Sequence, residues 1–277
     1  MFLYRLLLCL GLIAISPTLF SQGNFSAKAS GDWDNASTWN LDSGSDADGI
    51  PDADDSVSVV DFSVYVYDAQ SANNLYLAGE TINSRVWIDG GDLTILNNAT
   101  IANSSTITKS SWITMRSGNL TITNNVYHTN PLGGQYGGFQ FDNRAPFEGL
   151  EKNVTIGGNL TNAYSHQFNY QILGTVTNSV TLNLNGGSTQ YINGERLIGQ
   201  REYAILRITN GTQLQFWANS KAPLISDSLL VEDGSIYLDK VSLIEVDEFE
   251  HQITVASGSK ITVVDRRYWF CNRYASG

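Results

Sequence analysis

The sequence predicts an all-β chain wound as a right-handed parallel β-helix with roughly one coil per 23–27 residues, and three observations carry that prediction. A seven-residue motif recurs as Asp92-Leu-Thr-Ile-Leu-Asn-Asn, Asn119-Leu-Thr-Ile-Thr-Asn-Asn and Asn153-Val-Thr-Ile-Gly-Gly-Asn. Weaker copies begin at Ser179, Ile205, Ser228 and Gln252, so the intervals are 27, 34, 26, 26, 23 and 24 residues. In every copy the second and fourth residues are Leu, Val or Ile, and near-regular recurrence of one short strand is the mark of a stacked repeat. The text before the first copy alternates apolar and polar residues, as in Val57/Val59, Val64/Val66, Leu75/Leu77 and Val86/Ile88, the period of half-buried strands. Charged residues make up only 16% of the chain, too few for long charge-faced helices and in keeping with a surface of amides and hydroxyls. A β-sandwich is the alternative arrangement of the same strands.

In chain order, residues 1–21 read as a secretory signal peptide. Arg5 precedes an apolar run from Leu6 to Phe20, and Ser21-Gln22 offers a cleavage point. The run is shorter than the ~20 residues of a membrane helix, so no span is expected once the leader is removed. Removal also leaves Cys271 as the sole cysteine, and packing and hydrogen bonds must then hold the fold without an internal disulfide. Residues 22–62 are expected to form an N-terminal cap with an acidic loop, 63–264 the β-helix repeats, and 265–277 an irregular tail, read as the end of a truncated frame. Turn formers such as Asp89-Gly90-Gly91 and Asn97-Asn98 separate the strands, and Asn at repeating corners is expected to stack as ladders between coils.

The net charge of −11 disfavours nucleic acid and anionic lipid, which need neutralising Lys or Arg. Between Asp42 and Asp55 carboxylates crowd around Gly49, a setting in which Ca²⁺ finds hard oxygen ligands on a turn. The longest interval contains residues 126–152, which mix aromatics with charged groups. Insertions in repeat proteins map to one face, often the binding face. Tyr127, Tyr136, Phe139, Phe141, Asp142 and Arg144 are the candidate ligand-binding set there. Trp33 and Trp39 read first as a lid on the first coil, and alternatively as sugar-stacking rings.

The signature Gly31-Asp-Trp33, Thr38-Trp39 and Pro51-Asp-Ala-Asp-Asp55-Ser-Val57 resembles the opening of β-helical surface proteins exported by Gram-negative bacteria, many through the type IX secretion system. That resemblance implies an extracellular or outer-surface location and a non-catalytic, adhesin-like or glycan-contacting role. The usual C-terminal sorting domain is not found in the sequence. The acidic stretch resembles a thrombospondin type 3 calcium loop, which implies Asp46, Asp48, Asp52 and Asp55 as ligands, with Gly44 standing where the pattern has its first Asp. The catalytic alternative is a polysaccharide lyase or glycoside hydrolase on a β-helix. Its candidates, Asp142, Arg144, Glu148 and Glu151, are grouped only by proximity in sequence.

Overall fold

In the computed structural model the described residues are 22–103, 109–129, 137–162, 168–174, 180–193, 197–200, 203–216, 224–238, 244–245 and 252–263. The leader, Tyr136, Cys271 and the tail lie outside them. The chain winds between two large sheets. One runs from Trp39–Ser43 through Asn24–Ala27, Ser56–Val60, Asn74–Gly79, Ala99–Asn103 and Val126–Thr129 to Lys260–Val263. The other stacks Ser63–Val66, Ser84–Ile95, Ser111–Ile122, Lys152–Ile156, Val180–Leu184, Tyr203–Ile208 and Leu224–Val231. Apart from the edge strand Trp39–Ser43, the strands named pair in parallel with the strand one coil later, and this pairing makes a β-solenoid and rules out the antiparallel sandwich.

The recurring motif is one rung of the second sheet. Its second residues, Leu93, Leu120, Val154, Leu206 and Leu229, and its fourth, Ile95, Ile122, Ile156, Ile208 and Val231, are all buried in a single core. Register partners run Asp92, Asn119, Asn153 and then Thr181, not Ser179. Thr181 in turn pairs with Ile205, so the fourth copy starts two residues later than the sequence suggests and the flanking intervals become 28 and 24. A two-residue slip keeps the same side chains inward, so alternation alone could not detect it.

The expected amide ladders are present at two corners. At the first motif position Asn119 Nδ2 donates to Asp92 at 2.7 Å and Asn153 Nδ2 donates to Asn119 at 3.0 Å. At the last position the main-chain N–H groups of Asn98, Asn125 and Asn159 donate to the side chains of Asn74, Asn98 and Asn125 in the coil before, and the Tyr191 N–H, outside the motif, donates to Asn159. The side chains therefore satisfy corner amides that the sheet ladder cannot reach.

Between its two halves each long strand turns a corner. Gly118 has φ 93°, and a Cβ there would stand 2.0 Å from the Gly91 carbonyl oxygen, so only glycine lets successive corners stack.

The first coil is closed by the two tryptophans. Trp33 and Trp39 meet edge to face at 5.1 Å, and both are buried. Trp39 Nε1 donates to the Trp33 carbonyl at 2.7 Å, and Trp33 Nε1 donates to the Pro51 carbonyl at 3.2 Å. Both rings are consumed by the lid, which removes the sugar-stacking alternative for them. Over the same end the strand Trp39–Ser43 pairs antiparallel with Asn24–Ala27 and covers an edge that would otherwise be open.

Candidate functional site

Residues 126–152 are not one free loop. Val126–Thr129 and Gly137–Asn143 are ordinary strands in register with the coils beside them. Met115 pairs with Phe141 and Gly118 with Lys152, so two intervening residues in one coil become ten in the next, and the true excursion is the short stretch around 144–151. This placement corrects part of the expected ligand set. Phe139 and Phe141 are the inward residues of Gly137–Asn143 and lie wholly buried in the core, where no ligand reaches them. Tyr127 sits on the other sheet, beside Thr100 and two coils from Tyr76, along a shallow groove of about 400 Å³. Asp142 is buried as well and holds the exposed Arg144, and the two join a cluster the sequence did not suggest.

That cluster occupies the outward face of the second sheet, where alternate residues of three successive strands stand side by side. Tyr65 pairs in register with Trp87, and Trp87 with Thr114. The Tyr65 ring lies parallel within 5° to both Tyr67, at 6.1 Å, and Trp87, at 6.2 Å. Tyr67 is 49% exposed, and Tyr65 and Trp87 are half-buried. Two guanidinium groups flank Trp87, Arg116 at 4.3 Å from the ring centroid and Arg85 at 4.7 Å, a geometry in which the cations meet the negative ring face. Arg116 lies at the irregular register position between Met115 and Ser117 and also covers Phe147 at 4.6 Å.

The excursion supplies Phe147 and is locked from beneath. Lys152 is buried, and its Nζ donates to Asn143 Oδ1 at 3.1 Å, the Phe147 carbonyl at 3.0 Å and the Leu150 carbonyl at 2.7 Å. All three ammonium donors are thus used. Burial lowers the Lys152 pKa to about 8, with Asp142 opposing that shift.

Charge on this face alternates across the strands. Arg116 pairs with Asp89 at 2.8 Å and approaches Asp142 at 3.9 Å, while Arg144 grips Asp142 with two hydrogen bonds of 2.8 and 3.0 Å. The Arg144 hydrogen bonds, ahead of any other cause, hold the Asp142 carboxyl below its ordinary value. It is therefore a fixed anion that orients arginines, and it has no proton to give at neutral pH. Glu148 and Glu151 are exposed.

The acidic loop forms a separate site at the first coil. Carboxylate oxygens of Asp46, Asp52 and Asp55 lie within 4.8 Å of one another, and Asp48 is not among them. Asp48 instead accepts from the Ile50 N–H at 2.9 Å in a local turn. Asp55 is buried, accepting from the Gly23 N–H at 2.6 Å and the Asp52 N–H at 2.9 Å; burial, ahead of its other causes, raises its pKa. Gly44 has φ 91°, and a Cβ there would meet the Gln22 carbonyl at 2.2 Å, which explains why no aspartate stands at that place in the pattern. Three carboxylates supply part of the six to eight oxygens Ca²⁺ takes, and each also accepts a main-chain N–H.

Fold and site together define a β-solenoid with an aromatic and arginine strip on one outward face. No protein-family model, curated protein or solved structure matches the chain. Among the described residues no helix is long and apolar enough to cross a membrane.

Proposed function

We propose that this chain is an exported, cell-surface, non-catalytic scaffold that contacts glycans through the strip around Tyr67, Tyr65 and Trp87. The observation that carries this reading is the row of three parallel rings on the outward face of a stiff sheet. A pyranose offers flat patches of C–H groups between its hydroxyls. Parallel rings on a rigid support meet such patches without an ordering cost, while the flanking guanidinium groups supply donors for hydroxyls. The strip needs no chemistry beyond contact, in keeping with an Asp142 held ionised by its arginines. The test is binding of the full chain to a glycan array, repeated with Tyr67→Ala. Binding that drops about tenfold or more, with an unchanged melting curve, supports the reading. Binding unaffected by Tyr67→Ala moves the site elsewhere.

A second reading concerns the acidic loop. Asp46, Asp52 and Asp55 would hold a Ca²⁺ ion that fixes the cap on the first coil, supported by their convergence. Calorimetric titration with Ca²⁺ and melting with and without the ion decide it. Neither heat nor a melting shift would remove the metal from the account.

A further inference from the structure

The cations on the aromatic strip are not equivalent, and the difference bears on which glycans the strip accepts. Arg116 is paired with Asp89 and Asp142, and Arg144 with Asp142. Arg85 has neither: among the described residues it makes no ion pair and no side-chain hydrogen bond, while its Nε, like that of Arg116, is buried without a hydrogen-bond partner. Its register neighbours on the adjoining strands are Ser63 and Trp112, so no carboxylate flanks it along its row. The guanidinium instead lies over Trp87 at 4.7 Å, next to the row that carries Tyr65.

Asp142 acts on Arg85 only through space, and a guanidinium that has lost part of its water without a hydrogen-bonded anion is a cost to folding that an uncharged side chain of similar length on Trp87 would not carry. The whole-molecule field does not supply a reason either, since the chain carries −11 and repels polyanions at long range. What the position offers is a planar fork of donors beside a ring platform, the arrangement that meets a carboxylate through two parallel hydrogen bonds.

We infer that the strip selects acidic glycans, with Arg85 receiving the carboxylate of a uronate whose ring lies on Tyr65 and Tyr67. This inference rests on the glycan-contacting reading of the same strip, and it adds the charge class of the ligand. No bond is made or broken; the step is exchange of carboxylate hydration for two charge-assisted hydrogen bonds.

The test is calorimetric titration of the full chain with galacturonate hexamers, with the same hexamers as methyl esters, and with dextran sulfate. The acid form is expected to bind at least about tenfold tighter than the ester, which has the same rings without the charge. Arg85→Gln should abolish the preference, lowering the acid form by about tenfold or more and the ester, which loses only a hydroxyl contact, far less, and Arg85→Lys should restore only part of the preference because an ammonium lacks the fork. Equal binding of acid and ester, both weakened by Tyr67→Ala, would overturn acid selection and leave the glycan reading in place. Binding of neither hexamer would remove both. Dextran sulfate binding as tight as that of the acid hexamer, and insensitive to Arg85→Gln, would show plain attraction of polyanions and likewise overturn the role given to Arg85.

Discussion

The strands Ser84–Ile95 and Ser111–Ile122 each carry two regions that face outward in different ways. Beyond the glycine corner the outward residues repeat from coil to coil, Asp92 and Thr94, then Asn119 and Thr121, then Asn153 and Thr155. Before the corner they do not repeat: the half-buried Arg85 and Trp87 are followed by Trp112 and Thr114, which point away from the core but are buried. The inward residues are alike in both regions, with Val86, Ile88, Leu93 and Ile95 all buried. One backbone and one core therefore support a uniform face and an individual one. Repetition marks what every coil needs to stack, and departure from it on the same strand marks where a side chain answers to something other than its neighbours.

The sharpest way to break this comparison is through the shared core. Leu120→Ala removes a fully buried rung residue and should cost about 2–5 kcal/mol by chemical denaturation. The loss should also reach the aromatic strip, because both regions stand on the same strand. A loss confined to coils beyond the glycine corner would show that the two regions unfold independently.

A smaller effect should follow from breaking the ladder. Asn125→Ala removes the donor to Asn98 and the acceptor of the Asn159 N–H, leaving that partly buried amide without its partner. The expected cost is about 1–3 kcal/mol, with glycan binding unchanged. Faster hydrogen exchange at Asn159 should accompany it, and unaltered exchange would show that water replaces the side chain there.

The smallest effect belongs to the individual face. Asp142 has its carboxyl held below the usual value of 3.8, so its pairing stabilises the fold above that pH and is lost as pH falls through the folded value. Arg144 is largely exposed, which limits the gain to about 1 kcal/mol or less. Asp142→Asn should flatten the acid side of the stability profile below the ordinary carboxylate value and leave neutral stability little changed. An acid limb identical to that of the parent chain would assign the slope to other carboxylates.

The uniform region was legible in the sequence because its constraint is written once per coil. The inward Leu and Ile of the motif, the corner glycines and the stacked asparagines each recur, and the structure places them as read. The fourth copy shows where that reading stops. Val180 and Leu182 both satisfy the alternation, and only pairing with Val154 and Ile205 fixes the start at Thr181. The individual face was harder to see, since it is assembled across strands whose register partners lie 22 or more residues apart in sequence. Its one local sign was large aromatics, Tyr65, Tyr67 and Trp87, at positions where the alternation called for polar residues. Proximity in sequence pointed instead to Phe139 and Phe141, which alternate inward and serve the core.

The parallel pairing of every coil with the next has a mechanical consequence. Main-chain hydrogen bonds in such a stack lie along its long axis, so tension between the two ends loads the coils in series and peels them one rung at a time. A pull across the axis meets the covalent chain and many rungs at once. A molecule built this way yields gradually when drawn out and resists shear from the side.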